Sequence, residues 1–183
     1  MSDGHIRCSW CSDDELYVAY HDLEWGVPKR DENTLFELLS LEGAQAGLSW
    51  ITVLRRREGY RHAFKNFDPD KVARFDDARV NAIMADSGVI RHRGKIESVV
   101  TNARAVLDIQ REQGSFSDYL WALGKAENDG QNSAAAMSKR LRKDGFKFVG
   151  PTICYALMQS GGMVNDHAHA CFRFNEIETL RNG

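Results

Sequence analysis

Residues 94–113, GKIESVVTNARAVLDIQREQ, decide the fold class of this chain. Ile96, Val99, Val100, Ala103, Val106 and Leu107 recur at steps of three and four, with Ile109 at the edge. A helix gathers those residues into one apolar stripe that needs a core to pack on. The same period extends outward in both directions. Upstream, Asp13 or Asp14 can cap a helix running to about residue 25, where Gly26 and Pro28 stop it. Asp31 caps the next, in which Leu35, Phe36, Leu38, Leu39 and Glu42 recur at helical steps. Ser49 can start another through Arg57, and Asp68-Pro69 joins a cap to a proline at the first helical position. Downstream, Ser133 opens a helix through Asp144, and Pro151 starts one ending near Gly161-Gly162. No alternating run bounded by turn residues asks to be a strand, and no internal repeat is present. The chain reads as all-α.

A length of 183 residues suits a single unit. The polar stretch GKAENDGQNS, residues 124–133, separates a helical bundle over residues 31–123 from a lobe built of both termini, residues 1–30 and 134–175. A hydrophobic content of 43% can fill a core, and 27% charged residues is an ordinary soluble surface. No apolar run approaches the roughly 18–20 residues that span a bilayer. The start of the chain lacks a charged segment followed by an apolar one, so the expected address is the cytosol, with no membrane partner. Thiols stay reduced there, and Cys8, Cys11, Cys154 and Cys171 are not read first as disulfides. The net charge of −2 gives no global pull towards nucleic acid. Positive charge is local instead, at Arg55-Arg56-Arg57, at Arg91-His92-Arg93-Gly94-Lys95 and at Lys139-Arg140-Leu141-Arg142-Lys143. Such clusters are either solvated helix faces or phosphate contacts.

Cys8 and His21 form a C-x12-H pair, and His167 and Cys171 form H-x3-C, with two ligands about one helical turn apart. Two thiolates and two imidazoles make a closed tetrahedral set of the structural zinc type, with no open position. His169 and Cys11 are rival ligands close by. Such a site would staple the beginning of the chain to its end, and would fix the helix face carrying Tyr17, Tyr20, His21 and Glu24.

Glu42 follows three leucines on an otherwise apolar helix, and Gly43, Gly47 and Trp50 come soon after. An acid in that setting either pairs with an arginine or cap, or sits with a raised pKa awaiting a cation or donor. Trp10, Tyr17, Tyr20, Trp25 and Trp50 crowd the N-terminal quarter. They are core packing, or a box that stacks on a flat cationic ligand while Glu42 reads its edge. Near the C-terminus, Lys147-Phe148-Val149-Gly150 lies between two helices and would present backbone N–H groups to a phosphate. The pattern is that of a helix-hairpin-helix.

Taken together, YVAYHDLEWGVP (17–28), LEGAQAGLSWITVLRRRE (41–58), GVIRHRGKI (88–96), GFKFVGPTICYALMQ (145–159) and VNDH (164–167) resemble the 3-methyladenine DNA glycosylase I family of bacterial alkylation-repair enzymes. The resemblance weakens over residues 124–133 and after Cys171. It implies a helix-hairpin-helix superfamily fold with a zinc-bound terminal lobe, acting as a monomer on double-stranded DNA that contains alkylated adenine. The implied activity is hydrolysis of the N-glycosidic bond of 3-methyladenine. The implied zinc ligands are Cys8, His21, His167 and Cys171, which favours His167 over His169. Glu42 would be the acid that reads the base, Trp50 the stacking platform, and Tyr17, Tyr20, Trp10 and Trp25 the pocket walls. Gln45 and Leu48 stand where a wedge would enter the gap left by a flipped base. Two departures from the wider superfamily matter. Asn165 takes the place of a sugar-stabilising aspartate, unless a one-residue shift restores Asp166. Pro151 and Thr152 follow Gly150 where lyase-type members carry lysine, which implies a simple hydrolase without a Schiff base. Two other classes compete with this one, a zinc-stabilised DNA-binding module and a hydrolase working at the zinc itself.

Overall fold

Asp14, Asp31, Asp68, Asp76, His92 and Ser115 each turn a side-chain acceptor onto the amides of the turn that follows, and a helix starts at each. The structure is a computed structural model describing residues 4–125 and 130–182. Along the chain it contains α1 (Glu15–Leu23), α2 (Glu32–Gln45), α3 (Trp50–Leu54), α4 (Arg57–Ala63), a 3-10 turn (Lys65–Phe67), α5 (Pro69–Val72), α6 (Asp77–Ala85) and α7 (Arg93–Gln113). Then follow α8 (Phe116–Gly124), α9 (Gly130–Lys143), α10 (Pro151–Ser160) and α11 (Phe174–Asn182). Among the described residues no strand forms, and no helix is long and apolar enough to cross a membrane.

The centre of the molecule is α2. Leu35, Phe36, Leu38, Leu39, Ser40, Leu41, Glu42, Gly43 and Ala44 are all buried, because α3, α7, α8 and α10 pack around it. From Leu38 to Ala44 the helix is enclosed on every side and has no solvent face on which to place a charge. Glu42 is therefore inside the protein, 3% exposed.

The expected apolar stripe of α7 forms, with one exchange. Ile109 is buried and Leu107 only half-buried, the reverse of the reading by period. A second buried row, Ser98, Asn102, Ala105 and Ile109, runs beside the apolar one. Asn102 explains it: its Oδ1 accepts from the Lys147 amide at 2.7 Å and its Nδ2 donates to the Lys147 carbonyl at 3.0 Å. The hairpin is thus fastened to α7 through a polar residue that a count of apolar positions does not weigh.

The hairpin itself begins with a Schellman cap on α9. The Phe146 amide reaches the Leu141 carbonyl at 3.0 Å and the Gly145 amide reaches Arg142 at 3.2 Å, with Gly145 at φ +90°. Phe146 and Val149 are buried, and the Val149 carbonyl accepts from the Ser138 hydroxyl at 2.6 Å. Gly150 then caps α10, and Pro151 occupies its first position.

Four boundaries differ from expectation. α1 stops at Leu23, because the amides of Glu24 and Trp25 both fold back on the Tyr20 carbonyl before Gly26 turns the chain at φ +81°. The helix expected from Ser49 through Arg57 breaks at Arg55-Arg56 into α3 and α4, and Gly59 then lies against the Gly88 backbone, where a Cβ would meet the Gly88 oxygen at 2.3 Å. α9 starts at Gly130, so Ser133 is a buried position within the helix and not its cap. The polar separator shrinks accordingly, since α8 runs through Gly124; its residues 126–129 lie outside the described part. Finally, α11 was not anticipated. Its Ile177 is fully buried, beside Gly26.

Candidate functional site

Cys8, His21, His167 and Cys171 come together from a loop, α1 and the segment after α10, all buried, with their ligand atoms within 4.8 Å of one another. Cys8 Sγ lies 3.5 Å from His167 Nδ1, Cys171 Sγ 3.4 Å from His167 Nδ1, and Cys171 Sγ 3.5 Å from His21 Nε2. Metal–sulfur and metal–nitrogen bonds of about 2.3 and 2.0–2.1 Å at tetrahedral angles require S···N edges of about 3.5 Å. The donor set fits a four-coordinate metal.

The outer nitrogens fix the ring orientations. His21 Nδ1 donates to Asp22 Oδ1 at 2.7 Å, and His167 Nε2 donates to the Trp25 carbonyl at 3.2 Å. The remaining nitrogen of each ring therefore turns a lone pair into the cluster. Arg7 holds Asp22 in turn, Nη2 to Oδ2 at 2.6 Å. Burial lowers the pKa of both imidazoles, keeping them in the neutral form that ligates. Burial also pushes the Cys8 thiol up to about 11, so an incoming metal must displace its proton. The rivals are elsewhere. Cys11 leans on the Ser12 and Tyr17 carbonyls, and His169 is exposed against Phe174.

In front of this cluster opens a pocket of about 190 Å³. Trp10, Tyr17, Tyr20, Trp25 and Trp50 make its aromatic walls, and Glu42, Gln45, Ala156 and Gln159 complete it. Burial raises the Glu42 pKa to about 8, and a hydrogen bond from Ser160 pulls the other way. The arginines do not reach it: Arg57 is clamped by Glu24 at 2.5 and 2.9 Å, and Arg55 pairs with Asp14. The Trp50 Nε1–H is buried with no acceptor among the described residues. Glu42 and Trp50 thus bring polar groups to the pocket that the protein does not answer with a charge or a full set of partners. Glu42 favours a flat ligand bearing a positive charge or hydrogen-bond donors, as do the aromatic faces, whereas the Trp50 N–H can be answered only by an acceptor.

The two features share a wall. Trp25 stands 4.5 Å from the His167 ring, centroid to centroid, and Trp10 stands 5.2 Å from His21 and 4.9 Å from Trp25. Each tryptophan has a histidine of the cluster behind it and the pocket in front. Tyr20 packs against Trp50, ring centroids 5.4 Å apart.

Gln45 is part of the pocket lining, whereas Leu48 projects from the turn beyond it, 42% exposed. Lys95 holds that turn. It is buried, not part of a basic surface, and donates to the Ala44 carbonyl at 2.8 Å and the Ala46 carbonyl at 2.6 Å. The cluster that suggested phosphate contact therefore spends its lysine at the C-terminal end of α2, where a cation meets the helix dipole. At the hairpin, Lys147 and Phe148 are exposed, and Arg142 stands close enough to Gly150 that a Cβ there would lie 3.6 Å from its guanidinium. That guanidinium thus stands beside the N-cap of α10, a combination that suits an anion.

Sequence reading missed Ala156 and Gln159 as pocket residues. Both lie on the helix after the hairpin, four residues or fewer from Ser160, whose approach to Glu42 only the fold discloses. Asn165 turns away from the pocket, its Nδ2 donating to the Phe174 carbonyl and to Glu178. Asp166 turns towards α10 instead, accepting from Tyr155 and Gln159.

A helix-hairpin-helix protein with a ring-sized aromatic pocket over a buried acid is the class that fold and site define. The profile of the methyladenine glycosylase family matches residues 10–174. DNA-3-methyladenine glycosylase 1 of Escherichia coli (strain K12) is 50% identical over 177 residues, covering 90% of this chain and 95% of its own length. A crystal structure of 3-methyladenine DNA glycosylase I superposes with a TM-score of 0.87 at 46% identity, covering 91% of this chain and 98% of that one. A single-residue variant of 3-methyladenine DNA glycosylase I, solved in complex with 3-methyladenine, superposes at 0.85 with 33% identity and covers 92% and 97%. The chain belongs to the methyladenine glycosylase family.

Proposed function

We propose that this protein is a DNA repair glycosylase that flips 3-methyladenine out of alkylated double-stranded DNA and hydrolyses its N-glycosidic bond. The observation that carries the reading is Glu42, an acid buried at the pocket floor without a cation to pair with. A methylated adenine in DNA is cationic, so it is attracted to aromatic faces by on the order of 0.5–2 kcal/mol per contact. Its arrival lowers the pKa of Glu42, and the resulting carboxylate accepts from the exocyclic amino group. Unmodified adenine is neutral and gains neither charge term. Trp50 serves as the stacking platform, and Tyr17, Tyr20, Trp10 and Trp25 as the walls.

The charged base is already a good leaving group, so bond cleavage passes through an oxocarbenium-like sugar that water captures. The labour of the protein is extrusion and selection. Leu48, on the exposed turn held by Lys95, fills the gap left by the base. Val149, Gly150 and Lys147 hold the backbone at the hairpin. No lysine follows Gly150, which supports hydrolysis without a lyase step.

We read the Cys/His cluster as a structural zinc site, with Cys8, Cys171, His21 Nε2 and His167 Nδ1 as ligands. Zinc there would hold the termini together and stiffen Trp10 and Trp25. Four protein ligands in a buried setting leave no position for an activated water, which argues against a hydrolase working at the metal. The pocket lies between the terminal segments and α2–α3, which supports a terminal lobe set against a helical bundle, and we read the protein as a monomer. The relatives are bacterial, and the reading places the chain in the cytosol, where its four thiols stay reduced.

The test is incubation of the purified protein with methylated DNA, with and without chelator. Release of free 3-methyladenine in both arms is expected. DNA binding without release would favour the non-enzymatic module, and release abolished at once by chelator would favour chemistry at the metal.

A further inference from the structure

Gln159 occupies a position that the proposed mechanism does not use. Its side chain is part of the pocket lining, and its Nε2 donates to Asp166 Oδ2 at 2.7 Å. The same carboxylate oxygen accepts from the Tyr155 hydroxyl at 2.6 Å. A carboxylate only accepts, so the amide must turn its nitrogen towards Asp166. Both partners of Asp166 are neutral, so its charge is not cancelled by an ion pair. Hydrogen bonding to a charged acceptor also polarises the amide, making its oxygen a stronger acceptor.

We propose that Gln159 is a second specificity-determining residue of the pocket, its Oε1 held towards the bound nucleotide by Asp166 and Tyr155. Glu42 reads the base from α2. Gln159 adds a neutral but electron-rich acceptor from α10, with a carboxylate behind it. Asp166 is a positioning residue: it touches Gln159, not the substrate. The pair selects for positive charge or N–H donors on the flipped nucleotide, and it rejects rings that present an acceptor there. Keeping the second acceptor neutral has a physical reason. A second bare carboxylate in the pocket would repel ionised Glu42, whereas an amide carries part of the charge of Asp166 inward without that conflict.

This inference rests on the pocket being the base site, and the experiment separates the two. Single-turnover excision of 3-methyladenine from methylated DNA is measured at saturating enzyme for Gln159→Met, Asp166→Asn, the double variant and Glu42→Gln. Affinity for abasic DNA and metal content are measured alongside. Gln159→Met keeps the bulk and removes the acceptor, and is expected to slow excision about tenfold with abasic-DNA affinity unchanged. Asp166→Asn can still accept from both neighbours but loses the charge, and no longer dictates which end of the amide faces it; a several-fold loss is expected. Because Asp166 acts through Gln159, the double variant should be no slower than Gln159→Met alone. Wild-type excision by Gln159→Met beside an impaired Glu42→Gln would overturn the role of Gln159. Additive losses, or loss of metal from Asp166→Asn, would overturn the positioning role of Asp166. Normal excision by both single pocket variants would instead sink the assignment of the pocket.

Discussion

The Cys/His cluster and the pocket share α1, which gives His21 to the one and Tyr17 and Tyr20 to the other, yet they treat buried polar groups in opposite ways. At the cluster, every ring nitrogen is occupied or aimed: His21 by Asp22, His167 by the Trp25 carbonyl, and both by the converging thiols. In the pocket, among the described residues, Glu42 has a hydroxyl partner and no cation, and Trp50 Nε1 has no acceptor. A buried polar group left short of partners is costly, and a protein keeps one where a ligand will supply what is missing. On the proposed reading the satisfied region serves as scaffold and the unsatisfied one as reader. Trp10 and Trp25, touching both, carry the rigidity of the first to the second.

Breaking the satisfied region should have the larger effect on folding. Cys171→Ser removes one ligand from a fully buried site and should cost more than about 3 kcal/mol, since metal affinity at such sites is folding free energy. Thermal denaturation with parallel metal analysis checks this. A melting temperature near wild type in a metal-free variant would show that the cluster is not a staple.

The unsatisfied region should behave in the reverse sense, because Glu42 costs stability when it ionises. Its folded pKa is about 8 against 4.5 for the ordinary carboxyl. Below about pH 4.5 both folded and unfolded chains hold the proton, and the group makes no difference. As the pH rises towards 8 only the folded chain retains it, so stability falls by about 1.4 kcal/mol per unit and levels off above the folded pKa. Glu42→Gln lacks this loss. Its stability relative to wild type should grow between about pH 4.5 and 8, reaching a few kcal/mol, as read from denaturant unfolding at several pH values. A difference independent of pH would mean that Glu42 is ionised and paired in the free protein.

The two regions also differed in how far the sequence disclosed them. The helices were legible because period and caps are local: Asp14, Asp31 and the Asp68-Pro69 pair start helices where their chemistry says they must. Burial of Glu42 was legible too, from the leucines around it. Other features depend on partners far along the chain. Lys95 reads as part of a basic surface until α2 delivers the Ala44 and Ala46 carbonyls to it. Asn102 reads as polar filler until Lys147 arrives. Spacing left Cys11 and His169 as rival ligands; the resemblance favoured His167, and the fold gathers Cys8 and His167 with His21 and Cys171 while Cys11 and His169 make other contacts. Gln159 gave no local signal of its contact with Asp166, because that bond depends on how the chain turns after α10. Residues that act by local geometry could be read directly, whereas those that act by meeting a backbone carbonyl or a distant carboxylate could not.

The contrast between scaffold and reader is tested most directly at one residue. Single-turnover excision and abasic-DNA affinity of Glu42→Ala should separate, with excision falling by about a hundredfold or more. Abasic-DNA affinity should stay within about twofold, since on the proposed reading the phosphate contacts that dominate it would be made at the hairpin, and the metal content should be unchanged. Excision close to the wild-type rate in that variant would contradict the account.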